Sequence, residues 1–486
     1  MKRRNFRKKV LQKNYLYVIV FFLLTPLSQV AAQNIGAWSL EQCIDYALDH
    51  NIQIHQQEIQ AKINENDYNQ SRINMLPSVN ASSNYSLSLG RALDQTTYQF
   101  TNNQKVQSSN VSLNSSLTLF NGLQKYNTIR QNHFNLLASL QEVEAVKNDV
   151  SLNVASAYLQ ILFSKELVDV SKSQLDIIKQ QVDRTGKLVE AGSLAKGSLL
   201  EIQAQESSEE LSLVNAQNQL DIAYLTLTQL LYLDSVGNFE IEVPSIDIPS
   251  EQQILIPVSD IYKQAVETLP QIKSADFQRQ SAEMALKAAK GARSPRLSLS
   301  ASYGTGYSDI RDKLAGYNEQ TQVVGHTTGG EAVTSTYQVP VYESYPISQQ
   351  FKDNASTVFT LGLSIPIFNG WMANNAISNS KLRAQSAQYY FDDSKNQLYK
   401  QVQQAYADAR AALKKYNAAD KALEAQQESF KYTEQKYTVG LVNSVEYNTA
   451  KNQLIKTNSD LLQAKYDYIF RTKILDFYMG KPITLK

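Results

Sequence analysis

The side chains best suited to hold a metal or to serve as nucleophile and base are four histidines, His50, His55, His133 and His326, and one cysteine, Cys43. Their spacing works against both roles. Only His50 and His55 are close, and at five residues apart they do not share a helix face. Cys43 lies in an amphipathic stretch and reads as a buried thiol. No nucleophile, base and orienting group stand in a recognisable order, and no glycine-rich phosphate loop is present. The expectation is a protein that is not an enzyme, with no cofactor and no metal.

The first residues carry an address. Lys2, Arg3, Arg4, Arg7, Lys8, Lys9 and Lys13 form a basic head, followed by an apolar run over 16–24, Pro26, and the small residues Val30 and Ala32. This is the pattern of a secretory signal over residues 1–32. The run falls short of the roughly 20 apolar residues of a spanning helix. Removing those seven basic residues leaves 40 Lys and Arg against 46 Asp and Glu, a net charge of −6. That balance argues against a nucleic-acid partner. An exported chain with a single cysteine forms no internal disulfide. No later window is apolar enough for a spanning helix, so any membrane crossing has to use strands.

The chain repeats itself. Residues 47–54 (ALDHNIQI) answer residues 265–272 (AVETLPQI) 218 positions later, and Pro77 answers Pro295 at the same offset. Leu119-Phe120-Asn121-Gly122 answers Ile367-Phe368-Asn369-Gly370, now at 248, as do Ala157-Tyr158 with Ala405-Tyr406 and Gly192 with Gly440. The growth of 30 places a longer loop in the second half, within 308–356. Near the ends, Leu231-Tyr232-Leu233 reads against Phe477-Tyr478-Met479. The chain divides into a first repeat over 33–236, a joining segment over 237–257 with Pro244, Pro249 and Pro257, and a second repeat over 258–486.

Four segments alternate as strands, 78–89, 110–119, 297–307 and 357–367. In the first, Val79, Ala81, Tyr85, Leu87 and Leu89 oppose Ser78, Asn80, Ser82, Asn84, Ser86 and Ser88. The wet faces hold Ser, Gly, Thr and Asn with almost no charge, whereas a solvated sheet face ordinarily carries Lys and Glu. The lengths also suit tilted membrane strands of about 9–11 residues. A soluble antiparallel sheet with one wet face is the competing reading. Lipid cannot satisfy bare sheet margins, and the smallest membrane barrels have about 8 strands, so four strands have to share a barrel with copies of the chain. Two copies supply eight strands and three supply twelve; the small polar residues suit the wider lumen of three.

Neither glycine nor proline occurs over 123–185 or over 371–439, which at about 1.5 Å per residue gives helices of roughly 95–105 Å. Shorter partners follow over 198–236 and 443–479, with hairpin breaks at 186–197 and at Gly440. Such helices pack laterally as coiled coils. Each strand pair runs into its long helix, so a closed barrel continues into a helical cylinder, with 237–257 as a belt at its waist and 308–356 at the outer end. A periplasmic or surface coiled-coil scaffold without a pore is the structural alternative.

With these elements in order, the chain resembles the TolC family of outer-membrane efflux channels. The duplicated plan, the strands opened by proline and closed by Phe-Asn-Gly, and the tip Tyr437-Thr438-Val439-Gly440-Leu441 carry the resemblance over essentially the whole mature chain. It implies a mainly α protein with membrane β structure: a homotrimer whose shared 12-stranded transmembrane β-barrel continues into a long α-helical barrel in the periplasm. It implies a passive exit duct in the outer-membrane lipid, working with a periplasmic adaptor (membrane fusion protein) and an inner-membrane pump. Small molecules such as drugs are the implied cargo, with type I protein secretion or metal efflux as alternatives. The resemblance further implies adaptor docking at Val439, Gly440 and Leu441, and at the less well matched first tip, Ala191, Gly192, Ser193 and Leu194. It places Glu446 at the channel constriction, with Thr449 where many members carry a second acid and Val442 where many carry an arginine. Three copies would then set one ring of carboxylates around the axis, which favours cations.

Overall fold

The computed structural model describes residues 37–93, 100–233, 239–244 and 256–484; the expected secretory signal over 1–32 and much of the segment over 237–257 lie outside them. Two short helices, α1 (Leu40–His50) and α2 (Ile52–Ile73), lead into strands β1 (Ser78–Leu93) and β2 (Phe100–Phe120). The long helix α3 (Gln124–Glu190) follows and returns as α4 (Lys196–Leu230). The second half begins with α5 (Val258–Thr268) and α6 (Pro270–Lys290), then β3 (Arg296–Ser308). A hairpin, β4 (Asp312–His326) with β5 (Ala332–Ser344), and a short helix α7 (Ile347–Asp353) precede β6 (Ser356–Ser364). The chain finishes with α8 (Met372–Thr438) and α9 (Ser444–Tyr478). Helices α3 and α8 each have 67 residues, about 100 Å. Helices α4 and α9 each have 35.

Strands β1, β2, β3 and β6 form one antiparallel sheet in the order β1-β2-β3-β6, with β1 and β6 as margins. The alternation in the sequence becomes two unlike faces. Serine hydroxyls pair across β1 and β2 on the polar face, Ser78 with Ser116 at 2.9 Å, Ser82 with Ser112 at 2.8 Å and Ser86 with Ser108 at 2.7 Å. The opposite face leaves Val79, Tyr85, Leu89, Phe359, Leu361 and Leu363 exposed.

The passage from strand to helix explains the Phe-Asn-Gly signature. Gly122 and Leu123 both have φ near +60°, as do Gly370 and Trp371. Two successive left-handed residues swing the chain from the sheet into the helix, and glycine at the first avoids half of the steric cost. The two junctions differ in their surroundings. A Cβ on Gly122 would lie 2.5 Å from the Gly291 carbonyl oxygen, whereas one on Gly370 would meet open space. Around Gly370, Ile367 is 95% exposed, Phe368 78%, Trp371 67% and Met372 69%.

Two cores fill the middle of the helical part. In one, Leu40, Cys43, Ala47 and Ile54 of the first helix pair pack on Val154, Tyr158, Ile161 and Leu162 of α3 and on Ala223 and Leu227 of α4. In the other, Ile261, Ala265, Leu269 and Ile272 meet Leu398, Val402, Ala405 and Ala409 of α8, with Tyr468 and Leu475 of α9. Ala157 and Ala405, matched across the repeat, are buried in the first and second core respectively. The Tyr158 hydroxyl donates to the backbone oxygens of Glu242 at 2.7 Å and Trp38 at 3.1 Å. It thereby fastens the described part of the joining segment, where Trp38 bridges Ile241, to the first core.

Four expectations need correction. Helix α3 runs through Gly186 to Glu190, and α4 already contains Gly197, so the first hairpin break narrows from 186–197 to five residues. A single helical glycine costs only about 1 kcal/mol against alanine, which a packed helix of this length absorbs. The segment 308–356 is largely a β-hairpin and a helix rather than a loop: Thr327-Thr328-Gly329-Gly330 makes the turn, and buried Gln350 bonds the Ser308 and Tyr345 carbonyls. Strand bounds also shift: β2 begins at Phe100, ten residues before the expected 110, and β6 ends at Ser364, short of the expected 367. At the far end, the helix termini set Leu231 against Met479 and Tyr232 against Gly480, two residues away from the pairing read in the sequence.

Candidate functional site

The ends of the two long helical hairpins hold the residues singled out by the sequence, and both are built the same way. At the first, the Gly192 N–H donates to the Val189 carbonyl at 3.0 Å and the Ser193 N–H to the Leu188 carbonyl at 2.8 Å. At the second, Gly440 donates to Tyr437 at 3.0 Å and Leu441 to Lys436 at 2.9 Å. These are Schellman closures, which need a left-handed residue after the helix; Gly192 has φ +74° and Gly440 φ +76°. The glycines answer first to helix termination. What they leave on the surface is distinctive: Val439 is 70% exposed and Leu441 75%. Ala191, Ser193 and Leu194 are also exposed.

The two tips lie side by side. Leu188, Leu194, Tyr437, Gly440 and Tyr447 line one cleft of about 450 Å³ between the hairpins. Behind it sits Tyr447, buried to 2% exposure, stacked on Tyr437 and close to Phe430. The Gln181 side-chain amide of α3 donates to its hydroxyl, so Tyr447 joins the second hairpin to the first.

Glu446 and Thr449 occupy the first turns of α9 and are both exposed. Asn443 caps this helix, its side-chain oxygen accepting the Glu446 N–H at 2.9 Å. The Thr449 hydroxyl donates back to the Val445 carbonyl at 2.8 Å. Glu446 therefore stands on a capped first turn, where the helix dipole favours negative charge.

Sequence reasoning passed over Lys451, one turn beyond Tyr447 on the same face. It is 2% exposed, and its Nζ has no hydrogen-bond partner among the described residues. Burial pulls its pKa below the usual lysine range, against the opposing pull of Glu209 and Glu434. The i, i+4 spacing of Tyr447 and Lys451 was the available signal, and the charge on Lys451 concealed it.

The candidate metal and nucleophile residues are placed apart. His50 stacks on Tyr46, 3.9 Å between ring centroids, while His55 faces Glu58. Cys43 is fully buried, and desolvation, aided by Glu41, pushes its thiol up to about 12, where it has no nucleophilic role near neutral pH. Among the described residues no three His, Cys, Asp or Glu side chains gather as metal ligands, and no helix is long and apolar enough to cross a membrane.

The family model described as Outer membrane efflux protein matches residues 43–231 and 261–481. Outer membrane protein TolC of Escherichia coli strain K12 is 23% identical over 406 residues, covering 82% of this chain and 74% of TolC. Alkaline protease secretion protein AprF of Pseudomonas aeruginosa is 21% identical over 349 residues, covering 71% of this chain and 64% of AprF. Among solved structures, the outer membrane protein VceC of Vibrio cholerae superposes with a TM-score of 0.72 at 15% identity, covering 91% of this chain and 96% of VceC.

Proposed function

Because the chain belongs to the Outer membrane efflux protein family, we propose that it is one third of a homotrimeric exit duct whose barrel and tunnel are completed only by copies of itself. Family membership makes it an outer-membrane channel of an efflux system reaching into the periplasm, a conduit and not an enzyme. The reading of a poreless scaffold falls with that assignment.

The observation that carries the trimer is the contrast between the two strand-to-helix junctions. The first is covered within the chain, Gly122 against Gly291. The second lies beside the free margin β6 and leaves Ile367, Phe368, Trp371 and Met372 bare. Burying such side chains is worth about 1.5–3 kcal/mol each. A second copy, offering its own α2 and β1, would cover Gly370 as Gly291 covers Gly122 and would pair β6 with β1. Three copies of four strands close a twelve-stranded barrel with the serine faces inward.

The equal lengths of α3 and α8 and of α4 and α9, with every boundary of the two pairs 248 residues apart, support an internal duplication. So does the double match of one family model. On this plan the chain divides at residues 33–236, 237–257 and 258–486, after a leader over 1–32. The exposed apolar tips, Val439 and Leu441 with Leu194 beside them, suit docking of a periplasmic adaptor that leads from an inner-membrane transporter. Glu446, repeated three times around the axis, supplies the charged constriction, with Thr449 one turn further along α9. The cargo fitted best by a lumen of small neutral side chains is small molecules such as drugs and other toxic compounds. The similarity to a protein named for alkaline protease secretion favours type I protein secretion as the second reading, with metal efflux as a third.

Planar-bilayer recording on purified trimers tests the constriction. The expected result is a small, cation-preferring resting conductance that rises several-fold in Glu446→Ala. An unchanged conductance removes Glu446 from the constriction.

A further inference from the structure

We propose that the foot of the barrel carries a binding station for organic oxyanions, carboxylates or sulfonates, built from Arg296, Lys125 and the first turn of α3. This rests on the reading above that the serine face of the sheet is the lumen.

Where the sheet meets the helices there is a cavity of about 660 Å³, and Ser78, Ser116, Thr118 and Arg296 bring the polar face of the sheet into its wall. Two cations, Lys125 and Arg296, line it, and no Asp or Glu does. Arg296 shares its face with Ser298, Ser300 and Ser302, and in register it opposes Ser364. The same face over 78–88, 108–118, 298–308 and 356–364 carries only Ser, Asn, Thr, Gly and Val, so among the described residues Arg296 is the one charge at its helix end, while Arg91 and Arg311 line a separate cavity at its outer end. Among the described residues the guanidinium makes a single long hydrogen bond, 3.4 Å to the Thr118 hydroxyl, and retains most of its five donors.

The helix end adds to this. Leu123, at the cap of α3, has no side-chain acceptor to offer. The first N–H groups of the helix are held loosely, Gln124 to the Asn121 carbonyl at 3.3 Å and Lys125 to the Asn121 side chain at 3.5 Å. They stand at the positive end of a 67-residue helix. Lys125 spends one donor on the Asn74 carbonyl at 2.5 Å, which answers the opposing negative end of α2. What is left over is positive. Two oxygens of a carboxylate or a sulfonate fit the guanidinium fork in two hydrogen bonds.

The test is fluorescence anisotropy of pyranine, an aromatic trisulfonate, titrated with the full-length trimer in non-ionic detergent at low salt. Wild type is expected to bind it. Arg296→Gln combined with Lys125→Gln should weaken binding at least tenfold, Arg296→Lys, which keeps the charge and loses the fork, should weaken it by an intermediate factor of about three, and Lys431→Gln at the remote tunnel helix should stay within about twofold of wild type. Undiminished binding in the double variant overturns the station. Competition by phosphatidylglycerol in mixed micelles would also overturn it, by assigning the site to a lipid headgroup outside the lumen. Trimer content is read on an unheated gel beforehand. Monomeric wild type would defeat the channel reading separately, and the binding series would still decide whether Arg296 and Lys125 hold the anion.

Discussion

Tyr447 lies stacked on Tyr437, ring centroids 4.6 Å apart and planes 27° from parallel, and so ties the start of α9 to the end of α8 just behind the exposed Gly440 turn. Its hydroxyl, engaged by Gln181, carries the tie across to α3. The tips thus hold together within one chain through a buried aromatic. Removing a buried aromatic ring typically costs about 3–5 kcal/mol. Tyr447→Ala is expected to loosen the paired hairpins and raise the resting conductance in planar bilayers. Tyr447→Phe keeps the ring and loses only the hydrogen bond, about 1 kcal/mol, and should conduct much like wild type. Equal behaviour of the two variants would mean that the stack does not restrain the tips.

Lys451 makes a prediction in pH. Its folded pKa lies below the unfolded value, so the unfolded chain binds more protons between the two. The cost of burying the ammonium is therefore fully present below the folded pKa and is relieved as pH rises toward the ordinary lysine value. Lys451→Met should raise thermal stability near pH 7, and the advantage should shrink toward pH 10. The measurement is the temperature at which helical circular dichroism is lost, for both proteins at both pH values. A constant difference would contradict the assignment of Lys451 as the titrating group.

Tyr232 occupies a left-handed turn at φ +56°, in the place that Gly480 holds 248 residues later at φ +74°. The closures are otherwise alike: the Leu233 N–H donates to the Thr228 carbonyl at 3.0 Å and the Lys481 N–H to the Asp476 carbonyl at 3.0 Å. A side chain in this conformation costs roughly 1–2 kcal/mol. Tyr232→Gly is expected to stabilise the protein by about 1 kcal/mol and Gly480→Ala to destabilise it by a similar amount, both read from thermal melts.

Gly122 and Gly370 separate folding from assembly. Gly122→Ala drives a methyl into the Gly291 backbone and should prevent the chain from reaching its folded state. Gly370→Ala meets nothing within the chain, so it should leave helical content intact while abolishing the heat-resistant trimer. Normal trimers from Gly370→Ala would show that no neighbouring copy approaches that turn.

Much of the fold was legible because periodicity reports burial directly. The serine-faced strands are a local pattern of period 2 and the long helices a local absence of glycine and proline; both appear on the segments the sequence placed them on, although β2 begins ten residues early, at Phe100, and β6 stops at Ser364. The hairpin β4–β5 was missed although Gly329-Gly330 sits between Thr-, Val- and Tyr-rich runs. A ribbon with both faces exposed has no apolar alternation to reveal it. The tips were legible through Gly192 and Gly440 because a left-handed helix terminus asks for glycine. Lys451 and the Gln181–Tyr447 link were not, because contacts between helices far apart in sequence leave no local trace. Glu446 was chosen by family resemblance alone, and its position on a capped first turn is compatible with that role.

The closed duct depends on self-association, and native mass spectrometry of the detergent-solubilised, full-length protein measures it directly. The expected result is a single species containing three copies of the mature chain, which separates into monomers only on heating. A monomer at micromolar concentration in mild detergent, with the β6 margin and the surface around Gly370 left uncovered, would contradict it.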